Sequence, residues 1–246
     1  MDVLIITGGS RGIGAAVARQ AAREFAVAVN YLHGEKQAEE LVVEINLAGG
    51  KAIAIQGDVS CEKEVIRMFE EVTRQLGAVH ALVNNAGVTG HLGTLEELAR
   101  ESLERIFAVN VFGTILCSRE AVRRMSTRNG GTGGVIVNVS SRAGVLGGAG
   151  EWVHYAASKG AIDSFTVGLA REMADQGIRV NAVSPGLIDT ELHASAGSPD
   201  RVARLAPAIP MKRAGTASEV AEGILWLLSP ASSYVTGAIL PVSGGR

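Results

Sequence analysis

Short runs of β-branched and other apolar residues alternate along the chain with amphipathic segments, and this alternation constrains the fold most strongly. Strands that alternate with helices form a parallel sheet with helices on both faces. Right-handed crossovers then give a doubly wound α/β architecture that binds ligands at the carboxyl ends of the strands. Seven strands are predicted, at Val3–Thr7, Val27–Tyr31, Ala52–Gln56, Ala81–Asn84, Val135–Ser140, Arg179–Val183 and Ala238–Val242.

Composition narrows the class of partner. The 246 residues are 47% hydrophobic, enough to bury one sizeable core, so we expect a single domain over 1–246. The formal net charge is -2, which argues against nucleic acid or an anionic membrane as a partner and leaves a small molecule. No apolar run is as long as a membrane span, so we expect a cytoplasmic protein. Cys61 and Cys117 have neither disulfide nor zinc spacing, and no metal site is expected.

Two stretches lack the periodicity of a helix or strand. Segment 127–134 contains four glycines and is predicted to be a flexible surface connection. Segment 189–210 is a long connection after a predicted strand, the place where an active-site lid would lie. Its composition is equally compatible with an ordinary surface loop.

The first predicted strand ends in a glycine-rich turn that opens at once into an Ala-rich helix. Glycines in such a turn permit a tight bend, close approach of the backbone to a pyrophosphate, and close packing of helix on strand. The helix N-terminus adds unpaired N–H donors and a positive dipole end. The sequence therefore predicts a dinucleotide-binding turn made of Gly8, Ser10, Arg11, Gly12, Ile13 and Gly14.

The end of the second predicted strand bears on which dinucleotide is bound. An acidic side chain there would accept a hydrogen bond from the ribose 2′-hydroxyl of NAD. This chain instead has Asn30, Tyr31, Leu32 and His33, and Arg11 in the glycine turn is available to pair with a 2′-phosphate. The sequence favours NADP(H) over NAD(H), with Asn30 and Tyr31 near the 2′ position.

Tyr155 and Lys159 lie four residues apart in a helical pattern that reaches about Gln176, so they share one helix face. A free phenol has a pKa of about 10 and is a poor base at neutral pH. An adjacent ammonium lowers that pKa and produces an acid/base group near working pH. Taken alone, a Tyr and a Lys at this spacing are more often a surface pair.

Further motifs occur in order along the chain: Thr7-Gly8-x-x-x-Gly12-x-Gly14, Gly57-Asp58-Val59, Asn84-Asn85-Ala86-Gly87, Val109-Asn110-Val111, Ser141, Tyr155-x-x-x-Lys159, and Ser184-Pro185-Gly186 with Thr190. Together they resemble the short-chain dehydrogenase/reductase family over essentially the whole chain. The resemblance implies a Rossmann-type fold and a catalytic tetrad of Asn110, Ser141, Tyr155 and Lys159.

By this resemblance, Ser141 orients the substrate carbonyl and Tyr155 donates the proton. Lys159 lowers the tyrosine pKa and holds the nicotinamide ribose, while Asn110 keeps a water in place for proton relay. Asn84 is expected to tie neighbouring strands together. The resemblance also implies a homotetramer, and it adds as cofactor-binding residues Asp58, Val59, Asn85, Ala86, Gly87, Pro185, Gly186, Ile188 and Thr190.

The function favoured by these motifs is hydride transfer between NADP(H) and a carbonyl or secondary alcohol. Alternatives are an NAD-dependent sugar or polyol dehydrogenase, a 3-oxoacyl-carrier-protein reductase, and a nucleotide-binding redox sensor without catalysis. Similar carrier reductases tend to have a basic docking residue where this chain has Gln176, which disfavours that substrate. The substrate pocket is expected from 142–154 and 189–210, with Trp152 as platform or packing residue and His154 at the surface.

Overall fold

A seven-stranded sheet forms the centre of the computed structural model, which describes residues 1–90, 92–191 and 197–246. Every strand pair in it is parallel. The predicted doubly wound α/β class is confirmed, and each predicted strand is found with ends that differ by no more than two residues. The strands are β1 (Asp2–Ile6), β2 (Phe25–Tyr31), β3 (Lys51–Gln56), β4 (Val79–Asn84), β5 (Gly134–Val139), β6 (Ile178–Pro185) and β9 (Ile239–Val242).

Helices cover both faces of the sheet. The predicted helix around Tyr155 and Lys159 is Val153–Met173, followed by a 3-10 turn at Ala174–Gln176. A π-helical segment, Ala108–Gly113, separates two other helices. The helices are α1 (Gly12–Ala21), α2 (Glu35–Leu47), α3 (Glu62–Leu76), α4 (Arg100–Phe107), α5 (Thr114–Met125), α6 (Ala143–Leu146), α7 (Val153–Met173), α8 (Arg201–Leu205) and α9 (Ala217–Leu228).

Two apolar cores lie on opposite faces of the sheet. In β1, Leu4 and Ile6 pack into the core under α1, α2 and α9, while Val3 and Ile5 pack into the core under α3, α5 and α7. Successive side chains of a strand point to opposite faces, so a strand covered on both sides must be apolar throughout. This double burial explains why β1 is a continuous apolar run rather than an alternating one.

The strand order, β3-β2-β1-β4-β5-β6-β9, reverses direction beside β1. Parallel strands that diverge in this way leave a crevice at their carboxyl ends. At this edge the buried side chains of Asn84 and Asn138 join β4 to β5, because the Asn84 amide donates to Asn138 Oδ1 over 2.9 Å. Asn84 therefore ties neighbouring strands together, as the sequence suggests.

Segment 127–134 is more closely packed than its glycine content suggests. A Cβ atom on Gly131, Gly133 or Gly134 would collide with the main-chain oxygen of Met125, Gly177 or His80, respectively. The glycines thus permit close backbone contacts rather than looseness. The expectation of a flexible connection overlooked this second use of glycine.

The predicted lid, 189–210, begins at a short strand that the sequence does not predict. Strand β7 (Ile188–Asp189) pairs in parallel with β8 (Gly215–Thr216) and so joins the two ends of this excursion. Helix α8 lies within it, and residues 192–196 are outside the described residues. Across the described ranges, no helix has the length and apolarity needed to cross a membrane.

Candidate active site

A cleft of about 360 Å³ opens at the carboxyl ends of the strands, beside the reversal of strand order. Of the predicted site residues, Gly14 and Asn110 do not line it. All the other predicted site residues line the cleft: Gly8, Ser10, Arg11, Gly12, Ile13, Asn30, Tyr31, Asp58, Val59, Asn85, Ala86, Gly87, Ser141, Tyr155, Lys159, Pro185, Gly186, Ile188 and Thr190.

The glycine turn has the backbone shape that a phosphate cradle requires. Gly8 and Gly12 have φ angles of +59° and +54°, a backbone conformation that residues with a side chain rarely adopt. Gly14 lies behind the turn, where a Cβ atom would be 2.6 Å from Asn85 Nδ2 and 2.7 Å from the oxygen of Gly8. Gly14 thus allows the first helix to pack closely against the turn, which is one of the uses expected of these glycines, and its assignment to the cofactor site stays a prediction.

Thr7 and Asn85 hold this turn against the end of β4. The Thr7 hydroxyl oxygen accepts hydrogen bonds from the N–H groups of Asn85 and Ala86, each over 3.0 Å. The Asn85 amide in turn donates to the oxygens of Thr7 and Gly8 over 3.0 and 2.8 Å. The side chain of Asn85 therefore stabilises the glycine turn, and its amide group donates both of these hydrogen bonds to main-chain oxygens of the turn.

Asn30 joins the end of β2 to two other segments. Its amide nitrogen donates to the oxygens of Ile55 and Gly57 over 3.3 and 3.0 Å, and its oxygen accepts from Gly8 N–H over 3.2 Å. It is 1% exposed. Asn30 thus lies in the cleft wall with its amide hydrogens committed to the backbone, and its place near the 2′ position of a nucleotide stays a prediction.

The neighbouring Tyr31 and Arg11 define the other side of this end of the cleft. The Tyr31 hydroxyl donates to Glu35 Oε1 over 3.4 Å, and burial together with the Glu35 charge raises the pKa of Tyr31. Glu35 itself is not among the cleft residues. The Arg11 side chain is 66% exposed and lies 3.8 Å from Glu191, so its guanidinium is accessible to an anion.

Asp58 lies beside Arg105, a cleft residue that the sequence analysis did not identify. Burial alone would raise the pKa of Asp58, but hydrogen bonds from Ser60 and the Arg105 charge outweigh it and lower the pKa. The Ser60 hydroxyl donates to Asp58 over 2.6 Å, and Arg105 lies 3.4 Å from the other carboxylate oxygen. Asp58 is therefore a fixed negative charge in the cleft.

Ser141, Tyr155 and Lys159 meet at the opposite end of the cleft. The first follows β5, and the other two lie one turn apart on α7. The Ser141 hydroxyl oxygen accepts from Ala143 N–H over 3.1 Å, which leaves its own hydrogen to be donated. Lys159 Nζ donates to Val139 O over 2.7 Å and lies 5.6 Å from the centroid of the Tyr155 ring. A phenol, a hydroxyl and an ammonium thus share one wall.

The pKa values of Tyr155 and Lys159 shift in opposite directions, that of the phenol upward and that of the ammonium downward. Burial raises the pKa of Tyr155, although a hydrogen bond with Ser141 and the charge of Arg201 act against that rise. Burial lowers the pKa of Lys159 to about 8, against the opposing charge of Asp163 one turn further along α7. The groups that act against the rise are Ser141 and Arg201, and the Lys159 ammonium is bonded to Val139 O, so the lowering of the tyrosine pKa by Lys159 stays a prediction.

Asn110 lies behind the cleft, in the π-helical segment, and is 1% exposed. Its amide nitrogen donates to Val88 O over 2.9 Å and to Ser158 Oγ over 3.0 Å, and its oxygen accepts from Val88 N–H over 2.8 Å. Both amide hydrogens are therefore used within the protein. The side chain of Asn110 thus fixes the chain that follows Gly87, and the role of Asn110 in keeping a water in place stays a prediction.

Three residues from the two segments expected to form the substrate pocket meet at the far end of the cleft. Glu151 and Trp152 precede α7, and Arg201 belongs to α8. Their proximity depends on a contact fifty residues apart, and neither spacing nor composition indicates it. His154 is also buried, with Nε2 3.2 Å from Thr89 O, so its expected surface position is wrong.

Comparison with known proteins decides the family. A family described as Enoyl-(Acyl carrier protein) reductase matches residues 8–246. The chain is 52% identical over 247 residues to the uncharacterized oxidoreductase YgfF of Escherichia coli (strain K12), covering 100% of both chains. The chain belongs to the short-chain dehydrogenase/reductase family. This family consists of oxidoreductases that use a nicotinamide cofactor, so the resemblance found in the motifs is confirmed.

Other members of the short-chain dehydrogenase/reductase family differ in their named activities. Glucose 1-dehydrogenase 2 of Bacillus subtilis (strain 168) is 37% identical, over 98% of this chain and 93% of its own. A 3-oxoacyl-[acyl-carrier-protein] reductase of Staphylococcus epidermidis is 36% identical, over 98% and 97%. A crystal structure of a short-chain type dehydrogenase/reductase from Mycobacterium marinum has a TM-score of 0.93 and 36% identity, over 99% and 94%.

Proposed function

We propose that the protein transfers hydride between NADP(H) and a carbonyl or secondary alcohol, with Tyr155 as the acid/base. The observation that carries this proposal is that Ser141, Tyr155 and Lys159 line one wall of the same cleft as the glycine turn. The turn fits a dinucleotide because its positive φ angles and the α1 N-terminus present backbone N–H groups to phosphates. When bound, the nicotinamide supplies or accepts the hydride.

The protein's own residues account for the proton. The Ser141 hydroxyl is held by Ala143 N–H and by its hydrogen bond with Tyr155, and it would donate its hydrogen to the substrate oxygen when substrate binds. With its pKa raised by burial, Tyr155 is protonated at neutral pH and is ready to give its hydroxyl proton to the developing alkoxide. The Lys159 ammonium beside the ring stabilises the phenolate that remains.

The preference for NADP(H) rests on charge at the end of β2. The cleft residues there are Asn30, Tyr31, Leu32 and His33, none of which is acidic, and the exposed Arg11 guanidinium adjoins them. An arginine is well suited to a phosphate because its N–H groups match two phosphate oxygens. We expect Arg11→Gln to weaken NADPH binding about 10-fold and to leave NADH binding nearly unchanged.

Tyr155→Phe tests the acid/base assignment, because it removes one hydroxyl and keeps the ring that packs against Trp152. We expect the kcat for carbonyl reduction to fall by roughly 10² to 10⁴, while NADPH binding measured by fluorescence is preserved. Tyr234→Phe is the matched control, since Tyr234 is fully exposed and should leave turnover unchanged. Activity above a tenth of the original in Tyr155→Phe would exclude Tyr155 as the proton donor.

A carrier-protein substrate, unlike a small carbonyl compound, requires a docking surface on the enzyme. Gln176, at the place of a basic docking residue in carrier reductases, is buried, and Ser126 Oγ donates to its Oε1 over 2.5 Å. It is therefore not available to an acidic carrier protein. A panel of aldehydes, ketones, sugars, polyols and 3-oxoacyl thioesters, each with NADPH and NADH, separates a carbonyl reductase from a sugar dehydrogenase, a carrier reductase and a protein that binds without turnover.

We further propose a cytoplasmic homotetramer in which residues 1–246 fold as one domain. Exposed apolar side chains support association: Trp226 on α9 is 42% exposed and Phe112 before α5 is 58% exposed. Such side chains are common in interfaces between subunits. Mass measurement in solution tests the tetramer, and a single cooperative unfolding transition tests the one-domain assignment.

A further inference from the structure

Glu151, Trp152 and Arg201, here called the Arg201 cluster, close the end of the cleft beyond Tyr155. Arg201 Nη2 lies 2.5 Å from Glu151 Oε2, and its guanidinium carbon lies 4.5 Å from the centroid of the Trp152 ring. The Trp152 ring is 6.3 Å from the Tyr155 ring at an angle of 67°. Trp152 therefore stands between the proton donor and a buried positive charge.

Two N–H donors of the Arg201 cluster have no hydrogen-bond acceptor. Arg201 is 7% exposed and Trp152 is 5% exposed, yet Arg201 Nε and Trp152 Nε1 are buried without a partner. Within the described part of the chain, they are the two unpartnered buried side-chain donors on residues lining this cleft. Buried donors are almost always satisfied in folded proteins, so an acceptor from a bound molecule is the natural complement.

The charge balance around the cluster is positive. Glu151 faces both Arg201 and Arg204, which lie 2.5 and 3.8 Å from its two oxygens. Burial would raise the pKa of Glu151, but its bond with Arg201 and the nearby arginine charges lower it, so one negative charge serves two cations. Arg142 also lines the cleft, but its Nε donates to Arg246 O over 2.8 Å, so the excess charge is that of Arg201 and Arg204 against Glu151. A neutral hydroxyl would satisfy one donor but would leave this excess charge uncompensated.

We propose that the Arg201 cluster binds a carboxylate carried by the substrate, so that the substrate is an oxo acid or the corresponding hydroxy acid. This inference rests on the proposed function, because it assigns the substrate class of the same cleft. A carboxylate has two oxygens that accept from charged and neutral N–H donors, and it offsets the positive charge. If the Arg201–Glu151 ion pair served only to hold α8 against the residues before α7, no acceptor would be needed for Arg201 Nε and Trp152 Nε1.

The test compares 2-, 3- and 4-oxo acids with their methyl esters, which keep the reacting carbonyl and lose the charge. We expect kcat/KM for the preferred acid to exceed that for its ester by about 10- to 100-fold, the range for a hydrogen bond to a charged group. In Arg201→Met, which retains an apolar chain against Trp152, the ratio should approach one, mainly through a higher KM for the acid. Butanoate should inhibit competitively, and butanamide should not.

Arg204→Met is the matched control, because it removes the same charge one turn later from a half-exposed position. We expect it to change the acid-to-ester ratio less than threefold. An equal effect of both variants, or an equal loss with acids and esters in Arg201→Met, overturns the carboxylate site. Equal turnover of acids and esters by the unaltered enzyme overturns only this inference, whereas no turnover of any carbonyl compound overturns the proposed function. If Arg201→Met does not fold, competition by butanoate decides the matter.

Discussion

Replacing Asn110 by Leu should destabilise the protein strongly although the two side chains are similar in size. The substitution leaves the N–H and C=O of Val88 and one lone pair of Ser158 without the partners they have at 2.8, 2.9 and 3.0 Å. A buried polar group that loses its partner costs about 1–3 kcal/mol. Counting the two main-chain groups alone, we expect the free energy of unfolding to fall by about 3 kcal/mol.

Urea denaturation followed by tryptophan fluorescence measures this loss, and in a chain of this length it corresponds to a fall in Tm of roughly 6–12 °C. Ser158→Ala is the control, since it removes one of the three contacts together with the bond from Ser158 Oγ to Tyr155 O, and it should cost about 1–2 kcal/mol. A loss below 1 kcal/mol in Asn110→Leu, or one no larger than in Ser158→Ala, would refute the view that Asn110 acts by fixing Val88.

Three other changes probe the site and the fold. Gly14→Ala forces a Cβ atom against Asn85 Nδ2 and the oxygen of Gly8, and overpacking of this kind costs about 1–3 kcal/mol. NADPH affinity, measured by fluorescence titration, should therefore fall about 10-fold. Unchanged affinity would contradict the assignment of the glycine turn to cofactor binding. Because the pKa of Tyr155 is raised and that of Lys159 is about 8, alcohol oxidation should accelerate with rising pH while carbonyl reduction declines above about pH 8. Lys159→Arg should abolish that decline in the pH profile of kcat/KM, and a flat wild-type profile would count against the pair. Thr216→Ala removes the N-cap of α9 and its bond from Glu219 N–H, and urea unfolding should show a loss of about 1 kcal/mol; no change would show that the cap is redundant.

The sequence predicts the sheet well because its signals are local. Each strand is a short apolar run, and β1 is apolar throughout since it is covered on both faces. The glycine turn and the Tyr155–Lys159 pair are likewise read from residues within one turn of each other. Such features depend on a few neighbouring residues, and they are found where the motifs place them.

The features that sequence reasoning missed depend on distant contacts. Nothing near Asn30 shows that its amide bonds to Ile55 and Gly57, and nothing near Arg201 shows that it meets Glu151. His154 is polar and next to a helix start, yet the fold buries it against Thr89. The one local signal left unused is Asp163, which follows Lys159 at the i, i+4 spacing and acts on its pKa.

The bonds of Asn30 limit how the nucleotide preference of this protein can be redesigned. A carboxylate at position 30 would face the carbonyl oxygens of Ile55 and Gly57, which now receive the amide hydrogens, and repulsion would loosen three chain segments together. The adjoining cleft residues Leu32 and His33 carry no such bonds in the described contacts of their side chains. An engineer who wants NADH use should therefore place the acid at 32 or 33 and leave Asn30 in place.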